Sequence, residues 1–484
     1  MKTIRTSMLL LVLISLTGML FAGGFALSGV GSKSQSMGGN FRALADDGTA
    51  IYWNPAGLGF FGENHLLLAG TGILPSNKYE YTGANPGWIK EEVEAEKNLF
   101  LFPNLYAVKG GESRLKYGLG LFVPAGLGAT WDSYKLPETM PVPTGVDSLG
   151  NPVFSPLTWK DGFPTNDLKS SIAVIDVHPT VAYQITPCLS FGMGVSLMYG
   201  KVTIVKLMPH IHADPDSSYG YYMPTLFKME GDGYGYGANF GLLFKKDRLG
   251  VGLTGKLPSI IKLEGDANVD LYVNNVISAG MTGPLAVGPF NASTKTGGKA
   301  DLKLPGDIGL GLKYDITDKW LVTADFVYTT WSEFDRVDID LDPANLVLQA
   351  PHPANPDSMV TFASIPADRT LPTDWEDTIR FGIGTQYQLS DCLALRAGYY
   401  YDDTPIPDET MTPTFPDINE KHSLNLGAGY TMGNWSFELN YQNIMFPERE
   451  ITTQTYDANM VPVNNVGIYN NIVHAFNFGI GMRF

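Results

Sequence analysis

The chain has 484 residues, of which 17% are charged, 44% are apolar and 12% are aromatic, and 54 are glycine. This mixture excludes a disordered chain, a coiled coil and collagen, and it favours an all-β protein with many turns. The formal net charge is −16 and no basic stripe is present, so we expect no nucleic-acid partner. Two cysteines, Cys188 and Cys392, are too few for a disulfide framework, and we expect free thiols.

Residues 1–22 have the features of a secretory signal peptide. Lys2 and Arg5 give a positive start, residues 8–16 are apolar except for one serine, and small residues follow from Ala22. The apolar run is shorter than the ~20 residues that a membrane-spanning helix needs, so an uncleaved anchor is the weaker alternative. We therefore expect cleavage after Ala22 and export of the chain.

Alternation of large apolar residues with small or polar ones dominates the rest of the chain. Near its end, Phe476, Phe478 and Ile480 share one strand face, and Asn477 and Gly479 share the other. The second faces carry mainly Gly, Ser, Asn and Gln rather than the charged residues of a soluble surface. This pattern is typical of a transmembrane barrel with a hydrated interior and a lipid-facing exterior. A soluble sandwich or propeller remains the alternative.

Short turns and long polar connections follow one another along the chain. Fourteen strands are expected, at residues 64–72, 98–108, 115–123, 171–184, 188–205, 230–244, 249–265, 298–314, 319–334, 375–389, 393–402, 421–431, 435–446 and 471–484. Outer-membrane barrels combine short periplasmic turns with long extracellular loops, and they must close because open sheet edges are unstable in lipid. We predict an all-β fold, a transmembrane antiparallel β-barrel of about 14 strands, for residues 63–484.

A barrel of that width has a lumen that its own side chains cannot fill. Residues 23–62 precede the first strand, are rich in glycine and serine, and include Trp53. We predict that they form an N-terminal hatch, or plug, in the lumen; a flexible linker is the alternative. Within this stretch Pro55 pushes Asn54 towards extended backbone, which predicts a turn at Asn54, Pro55 and Ala56.

Several short segments occur in a fixed order on this predicted ladder of strands: residues 24–27, 45–48, 54–58, 328–334, 375–377 with Arg380, 396–399, 402–407 and the terminal Phe484. In these segments the chain resembles the long-chain fatty acid transporters of bacterial outer membranes (FadL-type). That family also includes importers of toluene and related aromatic hydrocarbons. The resemblance extends over essentially the whole chain after residue 22.

The resemblance implies a multi-pass protein of the bacterial outer membrane that transports hydrophobic compounds passively, long-chain fatty acids above all. The cargo would be captured at extracellular loops, bound in the lumen and released sideways through a gap at a kinked third strand, after movement of the N-terminus. By this resemblance Asn54, Pro55 and Ala56 are the hatch motif and Phe25 is a ligand contact in the lumen.

The resemblance also suggests where the kink and the ligand carboxylate lie. Gly118, Gly120 and Gly126 lie on or just after the third strand, where glycines allow it to bend. Lys201 and Lys206, at the end of the fifth strand, are the candidate partners of a carboxylate. Another basic position of the family falls near Glu376, a departure that leaves room for an uncharged substrate.

Nothing in the sequence points to catalysis, and we expect no enzyme, no cofactor and no metal site. His210 and His212 are best explained as a solvated loop pair, and His474 points outward by its parity with Phe476. The expected partners are a hydrophobic small molecule, outer-membrane lipid and lipopolysaccharide, and the expected state is a monomer. The alternatives are an importer of aromatic hydrocarbons, or a barrel that acts mainly as a porin, receptor or adhesin.

Overall fold

The structure is a computed structural model that describes residues 26–84, 89–134, 139–146, 148, 152–158, 167–208, 211–213, 220–222, 225–274, 289–352, 355–365, 368–415, 417–456 and 462–484. The predicted signal peptide, Phe25 and His210 lie outside these residues. Within them, no helix has the length and apolar character needed to cross a membrane.

Two short helices precede the first strand, α1 (Ser32–Ser36) and α2 (Ala50–Trp53), and three 3-10 helices lie at Pro55–Phe60, Trp331–Glu333 and Asp408–Thr410. The strands of the described residues are β1 (His65–Glu80), β2 (Glu92–Glu94), β3 (Phe100–Lys109), β4 (Leu115–Trp131), β5 (Thr139–Val146), β6 (Pro152–Thr158), β7 (Leu168–Thr186), β8 (Leu189–Met208), β9 (Ile211–Ala213), β10 (Gly220–Tyr222), β11 (Thr225–Lys246), β12 (Leu249–Lys256), β13 (Ser259–Asn274), β14 (Pro289–Leu304), β15 (Asp307–Thr317), β16 (Trp320–Thr329), β17 (Arg336–Leu341), β18 (Ala344–His352), β19 (Asn355–Ile365), β20 (Asp368–Pro372), β21 (Thr378–Gln388), β22 (Leu393–Asp402), β23 (Lys421–Met432), β24 (Trp435–Met445), β25 (Arg449–Ile451) and β26 (Gly467–Arg483).

The strands form a closed antiparallel β-barrel of 14 strands, which confirms the predicted fold. The barrel strands follow chain order: β1, β3, β4, β7, β8, β11, β12 continued by β13, β14 continued by β15, β16, β21, β22, β23, β24 and β26. Closure is made by β1, which pairs with β26 from His65↔Arg483 to Glu80↔Ile468. Each neighbouring pair is antiparallel, as a ladder of hairpins requires.

The two faces of the wall differ as the alternation predicts. In β26, Phe476 and Phe478 are 51% and 49% exposed on the outside, whereas Ala475 and Asn477 are buried on the inside. His474 also lies on the outer face, where its Nδ1 is 2.8 Å from the hydroxyl of Tyr441. A large apolar exterior and a small or polar interior are therefore properties of the folded wall.

Two predicted strands are interrupted at prolines. The seventh and eighth barrel strands were expected without a break, whereas β12 and β13 are separated at Leu257 and Pro258, and β14 and β15 at Pro305 and Gly306. Proline has no N–H to donate to a ladder, which explains the interruptions. The connections expected at residues 266–297 and 335–373 also contain strand: β13 and β14 extend into the first, and β18 and β19 form a hairpin in the second.

Residues 26–62, called here the N-terminal segment, lie inside the barrel. Helix α1 contacts β22, β23, β24, β26 and β1, whereas the 3-10 helix Pro55–Phe60 contacts β4, β7, β8 and β11. Strands on opposite sides of the barrel are reached, which requires the segment to cross the lumen. Phe41, Ile51 and Leu58 have no exposed surface.

Candidate functional site

The lumen holds a cavity of about 190 Å³ between the N-terminal segment and the wall. Its lining includes thirteen large aromatic or aliphatic residues: Leu27, Tyr52, Trp53, Ile73, Phe100, Phe102, Leu304, Val327, Trp331, Tyr400, Ile444, Phe446 and Val473. Such a lining favours an apolar ligand, because burying apolar surface away from water is favourable.

The wall beside this cavity is broken between the second and third barrel strands. β3 and β4 pair only from Leu105↔Leu121 to Lys109↔Tyr117. Beyond that point β3 continues to pair with β1 alone, and β4 with β7 alone, where the register shifts between Phe122 and Ala125. The ladder between β3 and β4 therefore ends at Leu105↔Leu121, and a break between the two strands begins there.

Aromatic side chains occupy the break where ladder hydrogen bonds are missing. A Cβ added to Gly126 would lie 2.8 Å from the Phe102 ring, and one added to Gly128 would lie 2.8 Å from the Phe100 ring. All four of these residues also line the cavity. The cavity thus reaches the wall at a place where side chains rather than backbone hydrogen bonds close it.

The start of the N-terminal segment lies at the same break. Ala26 forms an isolated antiparallel bridge with Ala125, and the Leu27 N–H donates to the Pro124 carbonyl at 3.0 Å. Pro124 interrupts the alternation, and the predicted third strand ends at residue 123, but β4 continues to Trp131. At Pro124 there is no β3 partner, so the missing N–H costs no ladder hydrogen bond.

Arg42 of the N-terminal segment is held at one end of the cavity by acidic residues of the wall. Its Nη1 lies 3.2 Å from Asp325 Oδ2, its Nη2 lies 3.8 Å from Asp307, and its Nε donates to Thr254 at 3.0 Å. Asp325 also accepts the backbone N–H groups of Phe41 and Arg42. Charge-assisted hydrogen bonds of this kind fix the segment to the wall.

Arg380 of β21 joins a second part of the segment to the wall. Its guanidinium donates to the carbonyls of Ser28 at 3.0 Å and Gly38 at 3.2 Å, and it lies 3.9 Å from the centroid of the Tyr400 ring. No acidic partner within salt-bridge distance is present among the described residues. The cation is instead stabilised by carbonyl dipoles and by the face of an aromatic ring.

A three-residue ion cluster lies where the connection after β22 returns to the barrel. The Lys421 ammonium is 2.8 Å from Asp417 Oδ2 and 3.3 Å from Asp402 Oδ2, and all three residues line the cavity. Burial raises the pKa of Asp417 to about 6, and the nearby Lys421 ammonium opposes this shift without cancelling it. The end of the cavity that is lined by Asp402, Asp417 and Lys421 is called here the loop end.

Lys256, at the end of β12, is the cavity cation without a partner. Its side chain is half-buried, and its ammonium group forms no hydrogen bond or ion pair with any described residue. Arg42, Arg380 and Lys421 are each already engaged as described above. Sequence reasoning missed Lys256, since nothing but the break at Leu257 and Pro258 marks its position.

A buried polar cluster on β7, β8 and β11 was also missed. The His178 Nδ1 is 3.1 Å from both Asp176 and Ser196, and its Nε2 is 3.0 Å from Asn239, which donates to the Ile51 carbonyl of the N-terminal segment. A hydrolytic triad needs the acid and the nucleophile on opposite imidazole nitrogens. Here both lie on Nδ1, so the cluster joins wall and segment and does not form a triad.

The predicted turn at Asn54, Pro55 and Ala56 is present and lies against the wall. Asn54 is extended (φ −159°, ψ 100°), and its side chain accepts from the Ala56 N–H and donates to the carbonyls of Arg42 and Leu242. Pro55 begins the 3-10 helix, where its missing N–H is not needed. All three residues are fully buried or nearly so.

The predicted lysines are not brought to the cavity. Lys201 is exposed and shares the outer face of β8 with Leu197 and Tyr199, because it has their odd parity. Lys206 has the inward parity and is half-buried near the end of β8, but it does not line the cavity. Lys201, which was expected to pair with the ligand carboxylate, therefore points away from the lumen.

The three predicted kink glycines have different surroundings. Gly118 and Gly120 lie in the regularly paired part of β4, where an added Cβ would lie 2.6 Å from Leu58 and 3.1 Å from Ile51 respectively. Their small size makes room for the N-terminal segment, and neither marks the kink. Only Gly126 lies at the irregularity, which falls between Phe122 and Ala125.

Residues 148–475 match the family described as "Outer membrane protein transport protein (OMPP1/FadL/TodX)". The chain belongs to this family. It is therefore an outer-membrane β-barrel protein of the FadL type, as the resemblance implied, and proteins of this family are transport proteins and not enzymes. Both of its cysteines are free, as predicted.

Relatives are distant but extend over much of the chain. The long-chain fatty acid transport protein of Escherichia coli O6:H1 is 22% identical over 311 residues, which are 58% of this chain and 62% of that protein. A Pseudomonas aeruginosa FadL homologue has a similar fold, with a TM-score of 0.69 at 18% identity over 96% of this chain and all of that one. The Pseudomonas putida toluene transporter TodX gives a TM-score of 0.64 at 19% identity, over 96% of this chain and 99% of that one.

Proposed function

We propose that this family member carries hydrophobic small molecules, long-chain fatty acids above all, passively across the outer membrane. The cargo is captured at the long extracellular connections, bound in the lumen cavity and released sideways through the break between β3 and β4. The observation that carries this proposal is the continuity of cavity and break: Phe100, Phe102, Gly126 and Gly128 belong to both.

A lateral exit suits this cargo physically. An apolar molecule is disfavoured in a water-filled pore by the hydrophobic effect, but it passes from an apolar cavity into the membrane core without entering water. No energy source is needed for movement down a concentration gradient. The aromatic rings at the break move more readily than backbone hydrogen bonds separate, which makes this a weak part of the wall.

We propose that residues 23–62 act as the hatch of this transporter, with Asn54, Pro55 and Ala56 as its wall contact. Ala26 and Leu27 are hydrogen-bonded to β4 at the break, which supports a role for the preceding Phe25 as a cargo contact. Movement of this start of the segment would uncover the break from the inside. The segment would also prevent the wide lumen from passing ions.

A fatty acid carboxylate would be met by Lys256, because it is the cavity cation without a partner among the described residues. A carboxylate paired with an ammonium forms a charge-assisted hydrogen bond. Lys206, near the end of β8, remains a candidate contact for cargo on its way in. Lys201 is not proposed, since it lies on the outer face.

Aromatic hydrocarbons are the second candidate cargo. The cavity lining includes Tyr52, Trp53, Phe100, Phe102 and Trp331, and aromatic rings favour edge-to-face or offset contacts with one another. The structural neighbour TodX is a toluene transporter. A single free cation is compatible with either cargo, so competition between hexadecanoate and toluene for the purified protein distinguishes them.

Cross-linking across the break tests the lateral exit. In a Cys188→Ser, Cys392→Ser background, Phe102→Cys and Gly126→Cys are joined by a short bis-maleimide, and uptake of radiolabelled hexadecanoate by cells is measured. We expect uptake to fall at least about tenfold after cross-linking, because the two strands can no longer separate. The control joins Leu105→Cys to Leu121→Cys, where the strands are already paired, and should leave uptake unchanged. Equal uptake in all samples would rule out this exit.

A further inference from the structure

We propose that the loop end of the cavity binds a hydroxyl group, of an alcohol or a phenol, on an otherwise hydrophobic cargo, with Asp417 as the acceptor. The inference rests on the proposed transport function and narrows its substrate class. It depends on acceptor oxygens in the cavity lining that have no hydrogen-bond donor among the described residues. A carboxylate cannot use these acceptors, because it needs a donor or a cation.

Asp417 has a spare acceptor. Its side chain is only 4% exposed, and its Oδ2 accepts from Lys421 Nζ at 2.8 Å. Its other oxygen, Oδ1, is buried without a hydrogen-bond partner among the described residues, although the residue lines the cavity. Leaving a buried carboxylate oxygen unsatisfied costs free energy, which a donor on the ligand recovers.

The cations near Asp417 already have partners. Lys421 is shared between Asp417 and Asp402, and Arg380 is engaged with the carbonyls of Ser28 and Gly38 and with the ring of Tyr400. A ligand carboxylate at this end would find no free cation and would face two carboxylates. A hydroxyl carries no charge and donates one hydrogen bond, so it fits the spare acceptor without disturbing the ion cluster.

A second unused acceptor lies in the same lining. Asn77 of β1 is 4% exposed, lines the cavity and has no partner for its Oδ1 among the described residues. Between these polar points the lining is hydrocarbon, including Ile444, Phe446 and Val473. The cavity therefore offers acceptors at its edges and an apolar surface for the body of the ligand, which is the pattern that orients an amphiphilic small molecule.

Two matched ligand pairs test the proposal with the full-length protein in lipid nanodiscs. 1-Dodecanol is compared with dodecyl methyl ether, and 4-butylphenol with 4-butylanisole, because each ether lacks only the donor. Binding is followed by tryptophan fluorescence, since Trp53 and Trp331 line the cavity, and empty nanodiscs correct for partition into lipid. We expect one or both hydroxyl compounds to bind about tenfold tighter than the matched ether. The pair that shows the preference identifies an alcohol or a phenol as the donor.

Variants assign the effect to Asp417. Asp417→Leu should reduce the preference to about one while the ether binds as before, and Asp417→Asn, which keeps an acceptor oxygen, should retain part of it. Asp408→Leu is the matched control, because Asp408 belongs to the same connection but does not line the cavity. Equal binding of alcohol and ether to the wild-type protein overturns this inference alone. If neither ligand binds, the proposed transport function fails as well.

Discussion

Lys256 is the residue at which one substitution separates charged from uncharged cargo. Replacing it with Met keeps the length of the side chain and removes the only unpartnered cation in the cavity lining of the described residues. We expect Lys256→Met to weaken hexadecanoate binding about tenfold or more, since a charge-assisted hydrogen bond is lost. Lys201→Met, on the outer face, should leave the affinity unchanged. Equal losses in both variants would contradict the placement of the carboxylate.

The buried Asp417 should give stability a pH dependence of known sign. Its pKa is raised from 3.8 to about 6 in the folded state, so between these values the folded protein binds more protons than the unfolded chain. The free energy of unfolding therefore falls as pH rises through this window. Asp417→Asn removes this pH dependence. The free energy of unfolding of the variant, relative to that of wild type, should therefore rise by up to about 3 kcal/mol between pH ~3.5 and pH ~6.5. Urea unfolding of both proteins at several pH values measures this difference. Parallel curves of unfolding free energy against pH would refute the prediction.

For single residues, the sequence predicts the conformation where it depends on neighbours in the chain. It misses contacts that depend on partners far away in the chain. Asn54 and Pro55 form the predicted turn because the proline ring constrains both residues directly. Lys201 and Lys256 are alike in sequence, and only their strand parity and the proline break beside Lys256 decide which one reaches the cavity. The His178 cluster joins three strands, so no single stretch of sequence reveals it.

Strand β11 carries two glycines that should respond differently to the same substitution. A Cβ on Gly241 would overlap with the side chain of Asn54, whereas one on Gly237 would make ordinary contacts at 3.4 Å or more. Gly241→Val should displace the N-terminal segment, raise ion conductance in a planar bilayer and expose the segment to protease. Overpacking of this kind costs about 1–3 kcal/mol. Gly237→Val is the control, and similar conductance in the two variants would refute this role of Gly241.

The number and order of the barrel strands follow from the sequence because period-two alternation and short turns are local signals. The interruptions at Pro258 and Pro305 were not predicted, since the strands expected at residues 249–265 and 298–314 run through both prolines. The inward glycines were interpreted as a hydrated face. Several of them, such as Gly192 and Gly252, instead lie against the backbone of the N-terminal segment, a contact that only the closed barrel creates.

For the whole molecule, the N-terminal segment decides between a transporter and a porin. We expect intact protein to show little conductance in a planar bilayer, and deletion of residues 23–62 to raise it at least about tenfold, because a barrel of this size is too wide for its own side chains to fill. A variant that lacks only residues 457–461 is the control and should conduct like the intact protein. Free passage of ions through intact protein would favour a porin and contradict the proposed transport.

The pairing of β1 with β26 has a consequence for how the molecule assembles. The first and last barrel strands meet along a single seam, so the ring cannot shut until the rest of the sheet has been made. Such long-range pairing is slow to form, because the chain between the partners must first be ordered. The N-terminal segment continues directly into β1, so the strand that completes the ring is also the strand that carries this segment. We therefore expect ring closure and enclosure of the segment to be coupled during assembly.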